Sequence, residues 1–163
     1  SRGSVVPFFL ERASTGVLPI TDPAMTRFNI SLDEGVDLVL WALQHARGAE
    51  IFVPKIPSFR ITDLAEAIAP TAEHRVVGIR PGEKIHEEMI TASDSYSTFD
   101  VGPYYAILPA TTSGNVDEYL PGVPVVRVEP GFRYSSDRNP HFLSVDELRH
   151  LVREHVDSDF EPV

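Results

Sequence analysis

Two arginines and a glutamate are the residues whose type and placing could grip a small anionic ligand. Arg27 follows a loop and precedes the run Phe28-Asn29-Ile30, and Arg80 closes an apolar run before Pro81-Gly82-Glu83-Lys84. In α/β folds, ligands collect beyond the C-terminal ends of strands. An arginine there offers a planar fork of donors that matches the oxygens of a diphosphate. Glu83, one turn further on, can accept hydrogen bonds from vicinal hydroxyls such as those of a ribose. Spacing alone gives equal weight to a plainer reading, in which both arginines form surface ion pairs among many acids.

Other chemistry is excluded by what the sequence omits. It holds no G-x-G-x-x-G, no G-x-x-x-x-G-K and no G-x-S-x-G, so this stretch encodes no dinucleotide turn, P-loop or nucleophile elbow. His86-Glu87-Glu88-Met89-Ile90 starts like a zincin helix but lacks the second histidine. The remaining histidines are scattered, and His150 and His155 miss i,i+4 spacing; a metal site is not expected, and the histidines read as surface or packing residues. With no cysteine, disulfides, zinc–thiolate sites and a thiol nucleophile are all out. No residue is assigned a catalytic role.

The elements that must position the two arginines belong to a chain of 163 residues, 42% hydrophobic and 23% charged. That is enough for one ordinary domain, or one lobe of a larger one. A net charge of -10 argues against nucleic acid as a partner, because such binding depends on cations neutralising phosphates. Apolar runs are too short for a membrane span, and no signal peptide is recognisable. A cytoplasmic location is expected. Ser1 opens without Met into a helix-like stretch, which reads as a piece of a longer protein.

Residues 4–13 read as a short helix with Ser4 as N-cap and Pro7 in the first turn, followed by a loop marked by Gly16, Pro19 and Pro23. Ser31 and Glu34 have capping-box spacing, and Leu32, Val36, Val39, Leu40 and Leu43 recur at helical period up to Gly48. Glu50 to Pro54 reads as a buried strand. Thr62 is expected to cap a helix through Ala69, Arg75 to Ile79 to form a strand, and Lys84 to Ile90 a short helix. Ser97–Val101 and Tyr104–Leu108 suit a hairpin across Gly102-Pro103. Residues 109–143 read as a surface-hugging arm, and Ser144 with Glu147 opens a final helix presenting Val145, Leu148, Leu151 and Val152. Alternating helices and short strands give an α/β class with some parallel pairing.

Three ordered motifs carry a family resemblance. They are Ile20-Thr21-Asp22-Pro23-Ala24-Met25-Thr26-Arg27-Phe28, then Glu50-Ile51-Phe52-Val53-Pro54-Lys55-Ile56-Pro57-Ser58, then Gly78-Ile79-Arg80-Pro81-Gly82-Glu83-Lys84-Ile85-His86-Glu87. Together they resemble the inverting UDP-N-acetylglucosamine 4,6-dehydratases of pseudaminic acid biosynthesis, which are extended short-chain dehydrogenase/reductases. Phe132-Arg133-Tyr134-Ser135-Ser136 and the closing helix are similar to that family's C-terminal end.

The resemblance implies the C-terminal part of such a fold. A partial Rossmann edge strand would join a small α/β substrate-binding lobe over 1–108, with a C-terminal arm and helix over 109–163. It implies that Arg27 and Arg80 hold the UDP diphosphate and Glu83 the uridine ribose. Leu18, Pro19 and Ile20 would lie against the base with Thr21 in the same binding set, and Met25 and Thr26 would shape the sugar pocket. Lys84, Ser4 and Val5 are weaker candidates. For Leu18, Ile20 and Met25 ordinary packing is as good a reading as ligand contact, and Ser4 is more simply a cap.

The NADP-binding loop and the catalytic residues of the family belong to an N-terminal Rossmann half, which this sequence does not contain. In the whole enzyme, the resemblance implies, hydride leaves sugar C4 for NADP+, water is lost across C5 and C6, and hydride returns to C6 with inversion at C5. Tyr104 and Tyr105 lie in no Tyr-x-x-x-Lys pattern and do not replace the missing residues. Implied partners are a UDP-sugar, the N-terminal half and further copies in a homo-oligomer. A UDP-sugar epimerase and a non-catalytic UDP-sugar-binding module are the alternatives. The Ile-Phe-Val-Pro-Lys-Ile-Pro run favours the dehydratase.

Overall fold

The computed structural model describes residues 4–109 and 122–163, which form two compact units. The first draws on residues up to Asn29, on Pro57–Glu87 and on Asn139–Val163; the second on Ile30–Ile56 and Glu88–Arg138. Along the chain run α1 (Val5–Ala13), β1 (Val17–Ile20), β2 (Thr26–Phe28), α2 (Leu32–His45), β3 (Ile51–Pro54), β4 (Ser58–Arg60) and α3 (Ile61–Ile68). Then come β5 (Glu73–Val76), β6 (Glu88–Ile90), a 3-10 turn (Asp94–Ser97), β7 (Thr98–Asp100), β8 (Tyr104–Ile107), β9 (Val126–Arg127), β10 (Tyr134–Ser135) and α4 (Val145–His155). The α/β class is as expected.

In the first unit, α1 starts after Ser4, whose extended backbone takes the cap position while its hydroxyl makes no capping bond. The segment expected to be a loop is β1, with Leu18 and Ile20 fully buried. Its partner β5 runs parallel to it. Glu73 N–H donates to the Gly16 carbonyl at 2.9 Å and Val77 N–H to the Ile20 carbonyl at 2.8 Å. Those carbonyls lie at even positions, so Pro19 turns its absent N–H to the other edge and breaks no ladder bond.

The pair β2–β4 is antiparallel, and α3 leaves β4 directly. Arg60 is its N-cap, not Thr62. The earlier start has a cause: Ile61 N–H donates to the Met25 carbonyl at 3.0 Å, so an end-of-helix donor is satisfied without a side-chain cap. α4 opens on the Ser144–Glu147 capping box as expected. Phe9, Leu18, Ile20, Leu64, Leu148 and Val152 meet in this unit's core.

In the second unit, β3, β8, β7 and β9 lie side by side in that order, every pair antiparallel. The β7–β8 hairpin turns at Gly102-Pro103 as the sequence indicated, with Gly102 at φ +91° and its N–H donating to Asp100 Oδ1 at 3.0 Å. β3 is not the buried strand expected: only Val53 is buried and Ile51 is exposed. Phe99, Val101, Ala106 and Leu108 form the core. The capping box of α2 is present, yet none of its residues is buried. It meets its unit through Trp41, whose ring centroid lies 4.9 Å from those of both Phe52 and Tyr104.

Of the arm expected over 109–143, residues 110–121 lie outside the described residues. The rest is more than a surface strap. Tyr134, Ser135, Ser136 and Asn139 are buried, and the Tyr134 hydroxyl both donates to the Ile56 carbonyl and accepts its N–H, at 2.9 Å each. No helix among the described residues is long and apolar enough to cross a membrane.

Candidate functional site

Because β1 and β5 are parallel neighbours, the segments following both strands leave from the same end of the pair. One is Thr21–Met25, leading into Arg27; the other is Val77–Glu87, which carries Arg80 and Glu83. The first is tightened by Asp22, whose Oδ1 accepts from Ala24 N–H at 2.8 Å while its carbonyl accepts from Met25 N–H at 3.0 Å. Asp22-Pro23 is a residue pair that favours such turns.

The second segment turns at Arg80-Pro81-Gly82-Glu83. Glu83 N–H donates to the Arg80 carbonyl at 3.1 Å. Gly82 sits at φ +87°, a conformation that glycine adopts freely after proline in a type II turn. Glu83 closes the turn a second time: its Oε2 accepts Arg80 N–H at 2.9 Å. That leaves its other oxygen directed by a fixed turn. Arg80 and Lys84 are exposed, and the Arg80 guanidinium is not engaged by any described residue.

The two segments are laced together. Thr26 N–H donates to the Ile85 carbonyl at 3.0 Å, and Thr26 Oγ1 lies 2.8 Å from His86 Nδ1. Arg27 adds a clamp, with Nη1 donating to the carbonyls of Thr26 (2.7 Å) and Ile85 (3.0 Å) and Nη2 to that of Lys84 (2.9 Å). Its Nε is 3.6 Å from Glu87 Oε1. The clamp also explains why Lys84 to Ile90 is not the short helix expected. The carbonyls of Lys84 and Ile85, which in a helix would accept the N–H groups of Glu88 and Met89, are taken by a side chain 57 or 58 positions earlier, and Glu88–Ile90 pairs as β6 with β10.

The other residues named from sequence fall into two groups. Leu18, Ile20, Met25 and Thr26 are buried, the first three within the first unit's core. Pro19 and Thr21 are partly exposed at the end of β1. Sequence reasoning missed His86 and Glu87 as partners of Thr26 and Arg27. No local pattern announces a contact across 60 positions. Among the described residues no cluster of His, Asp and Glu could hold a metal ion. Nor does the segment after β5 form a dinucleotide-binding turn. Gly78 and Gly82, at positive φ, follow β5 but lead into a strand, β6, and not into a helix N-terminus, where backbone amides would meet pyrophosphate.

Residues 1–109 match the family described as Polysaccharide biosynthesis protein. The chain belongs to this family. A relative from Campylobacter jejuni named UDP-N-acetylglucosamine 4,6-dehydratase (inverting) is 49% identical over 158 residues, covering 93% of this chain and 47% of its own. A Rickettsia akari protein named UDP-glucose 4-epimerase is 43% identical over 112 residues, covering 66% of this chain and 33% of its own. The X-ray structure of Pen from Bacillus thuringiensis superposes with a TM-score of 0.78 at 29% identity, over 94% of this chain and 46% of that one. The chain therefore spans about half the length of the curated dehydratase it matches.

Proposed function

We propose that this chain is the nucleotide-sugar-binding part of a UDP-N-acetylglucosamine 4,6-dehydratase of the inverting type. The observation that carries the reading is the common departure of the Arg27 and Arg80 segments from the ends of two adjacent parallel strands, tied by the Arg27 clamp. Ligands in α/β folds gather at such ends. In this reading Arg80 takes the diphosphate through its unengaged fork, and the free oxygen of Glu83 faces the ribose. Pro19 and Thr21 offer surface to the base. Leu18, Ile20, Met25 and Thr26 support these groups from the core. Lys84 is a further candidate for phosphate.

In this reading NADP, and the hydride chemistry it supplies when bound, belong to an N-terminal half that this sequence does not include. The residues described here bind and orient; no catalytic role falls to them. That other half is also the partner for which the uncovered apolar face of α2 is suited, and a homo-oligomer in the cytoplasm is the expected state. The epimerase reading draws on the Rickettsia relative, at lower identity and over less of the chain.

Titration calorimetry of the protein, as expressed from its native reading frame, tests the proposal. UDP should bind, and Arg80→Ala should weaken it by about 1.5–3 kcal/mol, the range for hydrogen bonds to a charged group. Equal affinity in wild type and variant would remove Arg80 from the site. Incubation with UDP-N-acetylglucosamine separates the two activities: the dehydratase yields a product lighter by one water, the epimerase one of unchanged mass.

A further inference from the structure

The parallel pair β1–β5 has two outer edges, and they differ. β1 turns the missing N–H of Pro19 to its outer edge, a blunting that natural edge strands use against unwanted pairing. β5 has no such device. Its odd positions face β1, since Glu73 and Val77 donate to the Gly16 and Ile20 carbonyls, so His74 and Val76 turn their N–H and carbonyl groups the other way. No strand among the described residues pairs with that side. All four residues of β5 are exposed, and Val76 and Val77 are each more than half exposed.

Glu73 and Arg75 share one face of β5 and form an ion pair there. Nε donates to Oε1 and Nη2 to Oε2, at 3.1 Å each, with both side chains well exposed. A strand with unlike charges two positions apart is complementary to its own antiparallel copy. A two-fold axis at His74 lets each His74 N–H donate to the other copy's carbonyl and sets Glu73 of each copy opposite Arg75 of the other. An axis at Arg75 would oppose two guanidiniums, and one at Val76 would leave Glu73 and Arg75 with no charge opposite. Charge therefore selects the His74 register.

We propose that the outer edge of β5 is a self-association surface, where a second copy of this chain adds its own β5 antiparallel to build a four-stranded sheet. Such a contact is isologous, so it closes at two copies. Main-chain hydrogen bonds supply the attachment, and the crossed Glu73–Arg75 pairs fix the register. Pairing also takes Val76 and Val77 partly out of water. The inference does not rest on the nucleotide reading; it gives a surface to the homo-oligomer expected there. Because the two β5 strands run antiparallel, the Arg80 turns that follow them leave from opposite ends of the joined sheet.

Sedimentation velocity on the same expressed protein, over a concentration series, should show a monomer–dimer equilibrium. Glu73→Arg sets cation against cation across the axis, and Arg75→Glu sets anion against anion. Each variant alone should dimerise more weakly, on the order of tenfold in Kd. An equimolar mixture of the two should recover the dimer, because every opposed pair then has unlike sign. Repulsion within each chain is the same alone or mixed, so only a contact between copies gives that recovery. His74→Pro removes an outward N–H without touching the ladder to β1, and should weaken the dimer while the circular dichroism spectrum is unchanged.

A monomer at every concentration overturns the proposal. So does a dimer that all three variants leave intact, which would put the contact elsewhere. Weakening by both charge variants without recovery on mixing would reflect general charge and also overturns it. None of these outcomes touches the nucleotide reading, whose test is UDP affinity.

Discussion

Helices α2 and α4 begin alike and end in opposite situations. Each opens on Ser-x-x-Glu, and in each the serine hydroxyl accepts the glutamate N–H while the glutamate carboxylate accepts the serine N–H. Each carries an apolar stripe at helical period. In α4 that stripe is covered: Leu148 and Val152 are 4% and 3% exposed, packed in a core with Leu64 and Ile68 of α3. Arg149 fastens the helix further, donating to the carbonyls of Ala67 and Glu66 at 3.2 and 3.3 Å, acceptors that the end of α3 leaves without helical partners. In α2 the stripe is bare, with Leu32 82% and Leu43 77% exposed. A cap and a period specify that a helix forms and which side is apolar. They do not supply the surface that covers it.

The comparison breaks most readily at the stripes. Leu148→Ala removes a buried side chain and should cost about 2–4 kcal/mol in urea unfolding. Leu40→Ala, on a half-exposed position of α2, should stay within about 0.5 kcal/mol. Similar costs at both positions would mean that the α2 stripe is covered in solution, by another segment or by another copy.

The caps should behave alike where the stripes differ. Ser31→Ala and Ser144→Ala each remove one capping hydroxyl and should each cost about 1 kcal/mol, read by the same unfolding measurement. A much larger loss at Ser144 would show that its cap is coupled to the packing of α4.

The smallest effect concerns acid. The Ser144 backbone N–H, and then its hydroxyl, hold the Glu147 carboxyl below the usual carboxylate range. A carboxyl lowered in the fold contributes stability that is complete above its unfolded value and lost as pH falls through its folded one. Glu147→Gln should therefore flatten part of the stability decline on the acid side of that range, in circular dichroism titrations, and change little at neutral pH. An identical acid limb in both proteins would count against the cap.

How much of this was legible in the sequence differs by element. Both capping boxes, the Gly102-Pro103 hairpin and the α/β class follow from local signals, because a cap, a turn and an apolar period act over a few residues. Misreadings came where a distant group intervened. Thr62 was the better local cap, but the Met25 carbonyl let α3 begin at Ile61. Lys84 to Ile90 suited a helix, but Arg27 took the carbonyls. Pro19 suggested a loop, yet the ladder to β5 needs no N–H on its side of β1.

The candidate site divides the same way. Residue type and neighbourhood marked Arg27, Arg80 and Glu83 as the residues to watch, and the ordered motifs tied them to one family. That Arg27 clamps a backbone, that Glu83 closes its own turn, and that Glu87 and His86 stand against Arg27 and Thr26 was decided only by folding. The Arg27, His86 and Glu87 contacts join positions some 60 residues apart, where no short-range preference operates and the meeting depends on β1 and β5 lying side by side.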